Sequence, residues 1–144
     1  MRPFQYMLCK VIRADGQAHS ARTVEIFGWI MVAEAAGLLF APHFAAALLH
    51  LPPVSGQAAN YLRLVGLLVG GLGMLYIVSG RLNAQGFVFA TLLDRPLVPP
   101  IMALLWWFGV IPGPLAILFA LSDGLSSLWT FSASRRENAG GAAT

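Results

Sequence analysis

The sequence predicts an all-α integral membrane protein, a four-helix bundle of spans with short amphipathic interfacial helices beside it. Three observations carry this. Of 144 residues, 58% are hydrophobic and only 10% charged, whereas a soluble domain carries about 25% charge. Mean hydropathy is +0.72, so polar surface is too scarce to cover a water-soluble globule. Four long apolar runs are separated by proline, glycine and polar turns. A chain of this length has room for about four spans of roughly 20 residues, which makes residues 1–144 a single membrane domain.

The first element is a basic segment within residues 1–19, ahead of the first span. Phe4, Met7, Leu8, Val11 and Ile12 recur at helical spacing. Arg2, Lys10 and Arg13 flank that face, as in a helix lying on an anionic membrane surface; the alternative is a frayed tail. Lys10 and Arg13 break any secretory h-region. Asp15-Gly16 is a turn, and Ser20 or Thr23 can cap the next helix.

The first span is read at 24–41 and ends at Pro42. The apolar piece that follows, closed by Pro52-Pro53, is too short to cross and is read as interfacial or re-entrant. The second span is 61–79. Its Gly66, Gly70 and Gly73 form a smooth stripe for close helix packing, within the bundle in preference to a dimer. The third span, 87–111, is interrupted by Asp94-Arg95-Pro96 and Pro99-Pro100. Residues 87–95 are either a separate interfacial helix or part of one kinked helix. The single helix is preferred because the remainder alone is short for a bilayer. The fourth span is 114–131, and 132–144 is expected to be a polar disordered tail.

Four spans place both termini on one side. Of nine basic residues, Arg63 alone belongs to the other side. The positive-inside rule makes the termini cytoplasmic. Trp106, Trp107 and Trp129 occupy aromatic-belt positions.

Asp123 sits in the middle of the fourth span, with Ser126, Ser127 and Thr130 on its face. Glu34 lies about ten residues into the first span, and Asp94 and Arg95 lie within the third. The expectation is that Glu34, Asp94, Arg95 and Asp123 converge at similar depth in the half nearer the termini. One arginine cannot keep three carboxylates ionised in a low dielectric. Against this stand two plainer readings: Asp123 and Glu34 as hydrogen-bonded packing glue, and Arg95 snorkelling to the membrane surface.

His43 and His50 are read as interfacial anchors, no metal site is expected, and Cys9 is a lone thiol. No phosphate loop, catalytic triad or zinc spacing occurs. No catalytic residue or cofactor can be named, and nucleic acid is not an expected partner.

LLFAP, YLRLVGLLVGGLGMLYIVSGR, WWFGVIPGPLA and ALSDGLSSLWTF follow one another in an order that resembles small bacterial four-helix membrane proteins of the DoxX-like and BphX-like kind. The resemblance covers about residues 24–131. It implies the four-span fold and a bacterial inner-membrane location. Some DoxX-type proteins are linked to quinone-dependent sulfur oxidation or redox-stress complexes, but no catalytic residue carries over. The expected function is an accessory or interaction subunit, with membrane lipids, a membrane protein or a second copy as partner. Alternatives are an enzyme or binder for a lipophilic quinone, sterol-like or aromatic molecule, and an oligomeric proton-coupled transporter.

Overall fold

The computed structural model describes residues 3–141. Its elements in order are α1 (Pro3–Arg13), α2 (His19–Phe40), α3 (Pro42–Leu48), α4 (Gln57–Arg81), α5 (Gln85–Asp94), a 3-10 turn (Arg95–Leu97), α6 (Val98–Trp107) and α7 (Gly113–Gly141). There is no strand among the described residues. Four helical stretches are long and apolar enough to cross a membrane: His19–Phe40, Gln57–Arg81, Gln85–Trp107 and Gly113–Glu137. At 1.5 Å per residue the shortest covers about 33 Å, enough for a hydrocarbon core of roughly 30 Å.

The tightest packing is between α2 and α4, and small residues at heptad spacing produce it. Ala21, Gly28 and Ala35 on α2 are all buried, as are Gly66, Gly73 and Gly80 on α4. The helices run antiparallel, so the two sets meet in reverse order. A Cβ added to Gly80 would lie 2.7 Å from the Ala21 carbonyl oxygen, and one added to Gly28 would lie 2.7 Å from the Gly73 oxygen. At Gly66 it would come within 3.0 Å of the Ala35 oxygen. Backbone meets backbone along three successive levels, which maximises dispersion contact where lipid supplies no hydrophobic drive. Of the stripe expected at Gly66, Gly70 and Gly73, Gly66 and Gly73 meet the α2 backbone. Gly70 is half-buried and approaches only the Ala35 side chain, while Gly80 takes the third contact position.

The third span is one helix bent in the middle. Pro96 has no N–H, and the chain accommodates it with a 3-10 turn in which the Val98 N–H donates to the Arg95 carbonyl. Pro99 and Pro100 fall in the first turn of α6, where a missing donor costs little. The span runs from Gln85 to Trp107 and not to 111, because Gly109 adopts φ +68° and turns the chain.

Other boundaries move as well. The first span starts at His19 and the second extends over Gln57–Arg81. The expected disordered tail is helical as far as Gly141, the last described residue. A tertiary clasp explains this. Glu137 accepts from the Ser20 backbone N–H through Oε1 and from the Ser20 hydroxyl through Oε2, both at 2.8 Å. It caps the start of α2 from another helix, and neither Ser20 nor Thr23 serves as a local cap. Replacing Glu137 with alanine removes both bonds. Loss of a cap costs about 0.5–2 kcal/mol, so E137A should expose the C-terminal turns of α7 to proteolysis while leaving the spans folded. Unchanged cleavage after Arg135 and Arg136 would show that the clasp does not hold the tail.

Interfacial pieces flank the bundle. α1 leaves Tyr6, Met7, Leu8 and Ile12 exposed on its surface, and Arg81 ties it to α4 by donating to the Val11 carbonyl at 3.2 Å. Arg81 also pairs with Glu25 at 2.7 Å. α3 buries Pro42, Ala45 and Ala46 and exposes Phe44 and Leu48.

Candidate functional site

The bend after α5 carries Arg95 into the interior, where it is 1% exposed. Its guanidinium carbon stands 4.0 Å from the centre of the Phe27 ring and 5.0 Å from that of Tyr76. Tyr76 is itself braced edge-on by Phe87, with ring centres 4.9 Å apart. Desolvated cation–π contacts of this kind are worth about 2 kcal/mol. They do not satisfy N–H donors, and Nε, Nη1 and Nη2 have no hydrogen-bond partner among the described residues. Arg95 does not snorkel. The kink holds it too deep, roughly 15 Å along the helix from Gln85 at 1.5 Å per residue.

The carboxylates gather only in part. Asp123 is half-buried and lies within electrostatic reach of Arg95 and Asp94, and Glu34 lies within reach of Asp123. Among the described residues Arg81–Glu25 is the one ion pair within 4.0 Å, so no carboxylate bonds to Arg95. Asp94 is exposed. Glu34 is exposed too, and it sits roughly 22 Å along α2 from His19, about 7 Å further from the terminal end than Arg95. The expected convergence is met in part: Asp123 lies within electrostatic reach of Arg95, Asp94 and Glu34, but no carboxylate pairs with the guanidinium. Arg95 and Asp123 share the middle level, and Glu34 lies beyond them.

The polar face of α7 divides in two. Thr130 and Ser127 are buried. The Thr130 and Thr23 hydroxyls are 2.8 Å apart, and that bond joins α7 to α2. Ser126 turns back on its own helix and donates to the Asp123 carbonyl at 3.0 Å. Interhelical hydroxyl bonds in membranes average about 0.6 kcal/mol. T130V should therefore lower stability only slightly, by about that amount in chemical unfolding, and a loss several times larger would mean that Thr130 supports more than this bond.

Ser20, Thr23, Phe27 and Glu34 lie on one side of α2, from helical periodicity. The first three are engaged with α7 or Arg95, yet Glu34, further along the same side, is exposed. The α2–α7 seam is hydrogen-bonded at Ser20 and Thr23, and among the described residues no such bond is made at Glu34. α6 follows α7 closely, with Gly124 facing Pro99, and none of its residues is buried. The bundle is thus two helix pairs, α2–α4 and α6–α7, joined through Ser20, Thr23 and Phe27. On that side Glu34 is exposed and Asp123 half-buried, and the Arg95 nitrogens are closed off from solvent.

Phe27, Tyr76 and Glu137 were not singled out by sequence reasoning, and Ser20 and Thr23 were read only as candidate caps. Only the repeat Ala21, Gly28, Ala35 against Gly66, Gly73, Gly80 was there to be seen as a pattern. Among the described residues no three His, Cys, Asp or Glu side chains come together as a metal site. No family model, curated protein or solved structure matches the chain.

Proposed function

We propose that this small multi-pass membrane protein binds a lipophilic molecule with a polar head, of the quinone, sterol-like or aromatic class, in a cleft that opens between α2 and α7 beside Glu34 and Asp123. The buried guanidinium of Arg95, with no acceptor, carries the reading. Such a group costs about 1–3 kcal/mol or more unless an acceptor reaches it. A carbonyl or hydroxyl oxygen entering along the cleft would supply one. Asp123 and Glu34 beside the path could accept from a hydroxyl on the same head group. The apolar remainder would extend from the cleft into lipid.

The test is titration of the detergent-purified protein with a short-tailed benzoquinone, a sterol and a hydrophobic phenol, followed by aromatic fluorescence. Saturable binding of at least one is expected, weakened about tenfold or more in Asp123→Asn and in Glu34→Gln, since a hydrogen bond to a charged group is worth about 1.5–3 kcal/mol. If none saturates, or if both variants bind as the parent does, the reading fails.

A second reading keeps the protein as an interaction subunit whose partner fills the same cleft. The observation favouring it is α6, which has no buried residue. A carboxylate facing lipid costs about 2.5–3.5 kcal/mol, so a neighbouring chain over Glu34 would also be stabilising. A Glu34→Cys variant in a Cys9→Ser background should cross-link to a neighbour in native membranes if this holds, and remain monomeric if the cleft holds a small molecule.

A further inference from the structure

A second concavity, of about 480 Å³, lies at the terminal end of the bundle between the start of α2 and the last turns of α7. Its wall includes His19, Arg22, Trp129, Arg136 and Glu137, with Ile26 on the side toward the bilayer. We infer that it is a binding site for the phosphate of an anionic phospholipid, whose acyl chains run down past Ile26 and Trp129.

Charge is the first argument. Arg22 and Arg136 are exposed, and neither has a carboxylate within 4.0 Å among the described residues. The one acid in the wall, Glu137, has both oxygens occupied by Ser20. Glu137 keeps its charge in the clasp, so the wall sets two arginines against one carboxylate. The clasp also joins the two helices that carry the arginines, so Arg22 and Arg136 are presented together. Paired guanidinium groups match phosphate geometry, which a single lysine-like point charge does not.

Position is the second argument. The site is at the end of the spans, where lipid headgroups lie. Trp129 is exposed beside it, and indoles settle at that level because one edge is apolar and the N–H is polar. Ile26, also exposed, continues the wall toward the hydrocarbon. A phosphate with attached chains uses both halves of this surface, and free phosphate uses only the polar half. Basic pockets between spans are a recognised way to hold anionic headgroups.

The site is distinct from the cleft at Arg95, and its test does not depend on that cleft. The protein is purified in neutral detergent, and its thermal unfolding is followed while phosphatidylglycerol, phosphatidylcholine or inorganic phosphate is added. Phosphatidylglycerol should raise Tm saturably, phosphatidylcholine should not, and inorganic phosphate should do so only at far higher concentration. The double variant Arg22→Gln/Arg136→Gln should lose most of the shift, while Arg63→Gln, at the opposite end of α4, should keep it. Native mass spectrometry gives a second readout: retained phosphatidylglycerol should fall at least fivefold in the double variant, even if that variant is less stable. Equal shifts with phosphatidylcholine, an equal response to inorganic phosphate at matched concentration, or full lipid retention by the double variant would each overturn the assignment.

Discussion

Gly73→Leu should destroy the α2–α4 pair. The added Cβ would lie 2.9 Å from the Gly28 carbonyl oxygen and 3.0 Å from the Met31 and Val32 side chains. A flexible side chain can step aside, but a helical carbonyl cannot move without moving its helix. Overpacking a well-filled site costs about 1–3 kcal/mol, and a contact against backbone belongs at or above the top of that range. For a chain of this size that is roughly 10 °C in Tm. Gly71→Leu is the control. Gly71 is exposed and has nothing within 4 Å of its added Cβ, and leucine is the better helix former. Thermal unfolding in detergent micelles should separate the two by far more than helix propensity allows. Similar stabilities would mean that the close approach of the two backbones is not what holds the pair.

Arg95→Met should leave the protein as stable as before, or more so, and should abolish ligand binding in the cleft. The contacts of Arg95 are the faces of Phe27 and Tyr76, which methionine also packs against well. Its three nitrogens lack acceptors, so the substitution removes desolvated donors and breaks no ion pair. Replacing a buried charge by an apolar side chain of similar volume is often neutral or stabilising. A donor to a carbonyl would vanish at the same time, so binding of the probes should fall tenfold or more. A fall in Tm of more than about 5 °C, equivalent to roughly 1–2 kcal/mol, would instead show that Arg95 is a structural group. Arg95→Lys separates charge from shape: lysine keeps the charge and loses the planar stack on Phe27, so its probe affinity should fall between the two.

Much of the architecture was legible along the chain because bilayer thickness is a one-dimensional constraint. Apolar runs near twenty residues, separated by Pro42, by the polar turn after Ser79 and by Ile111-Pro112-Gly113-Pro114, suffice to divide 144 residues into four spans. The bend at Arg95-Pro96 was also legible, since proline removes a donor wherever it falls. The tail was not. Residues after Phe131 look polar and structureless in composition, and helix persists there because Ala133 is buried and Glu137 bonds to Ser20. The Glu137–Ser20 bond joins positions far apart in sequence.

The same division runs through the candidate site. By itself the sequence determined that Glu34, Asp123 and Arg95 lie within membrane-spanning segments, since hydropathy around each is sufficient evidence. It also determined that Asp123, Ser126, Ser127 and Thr130 share a side of one helix, because helical periodicity is local. The tertiary structure decided which of these meet. Arg95 stacks on Phe27 and Tyr76 and is not bonded to a carboxylate; Thr130 bonds to Thr23; Glu34 is exposed. The physical reason is rotation. Depth in a bilayer follows from counting residues, but the direction a side chain faces depends on how each helix is turned about its axis. Here that turn was set by backbone contact at Gly28, Gly66, Gly73 and Gly80.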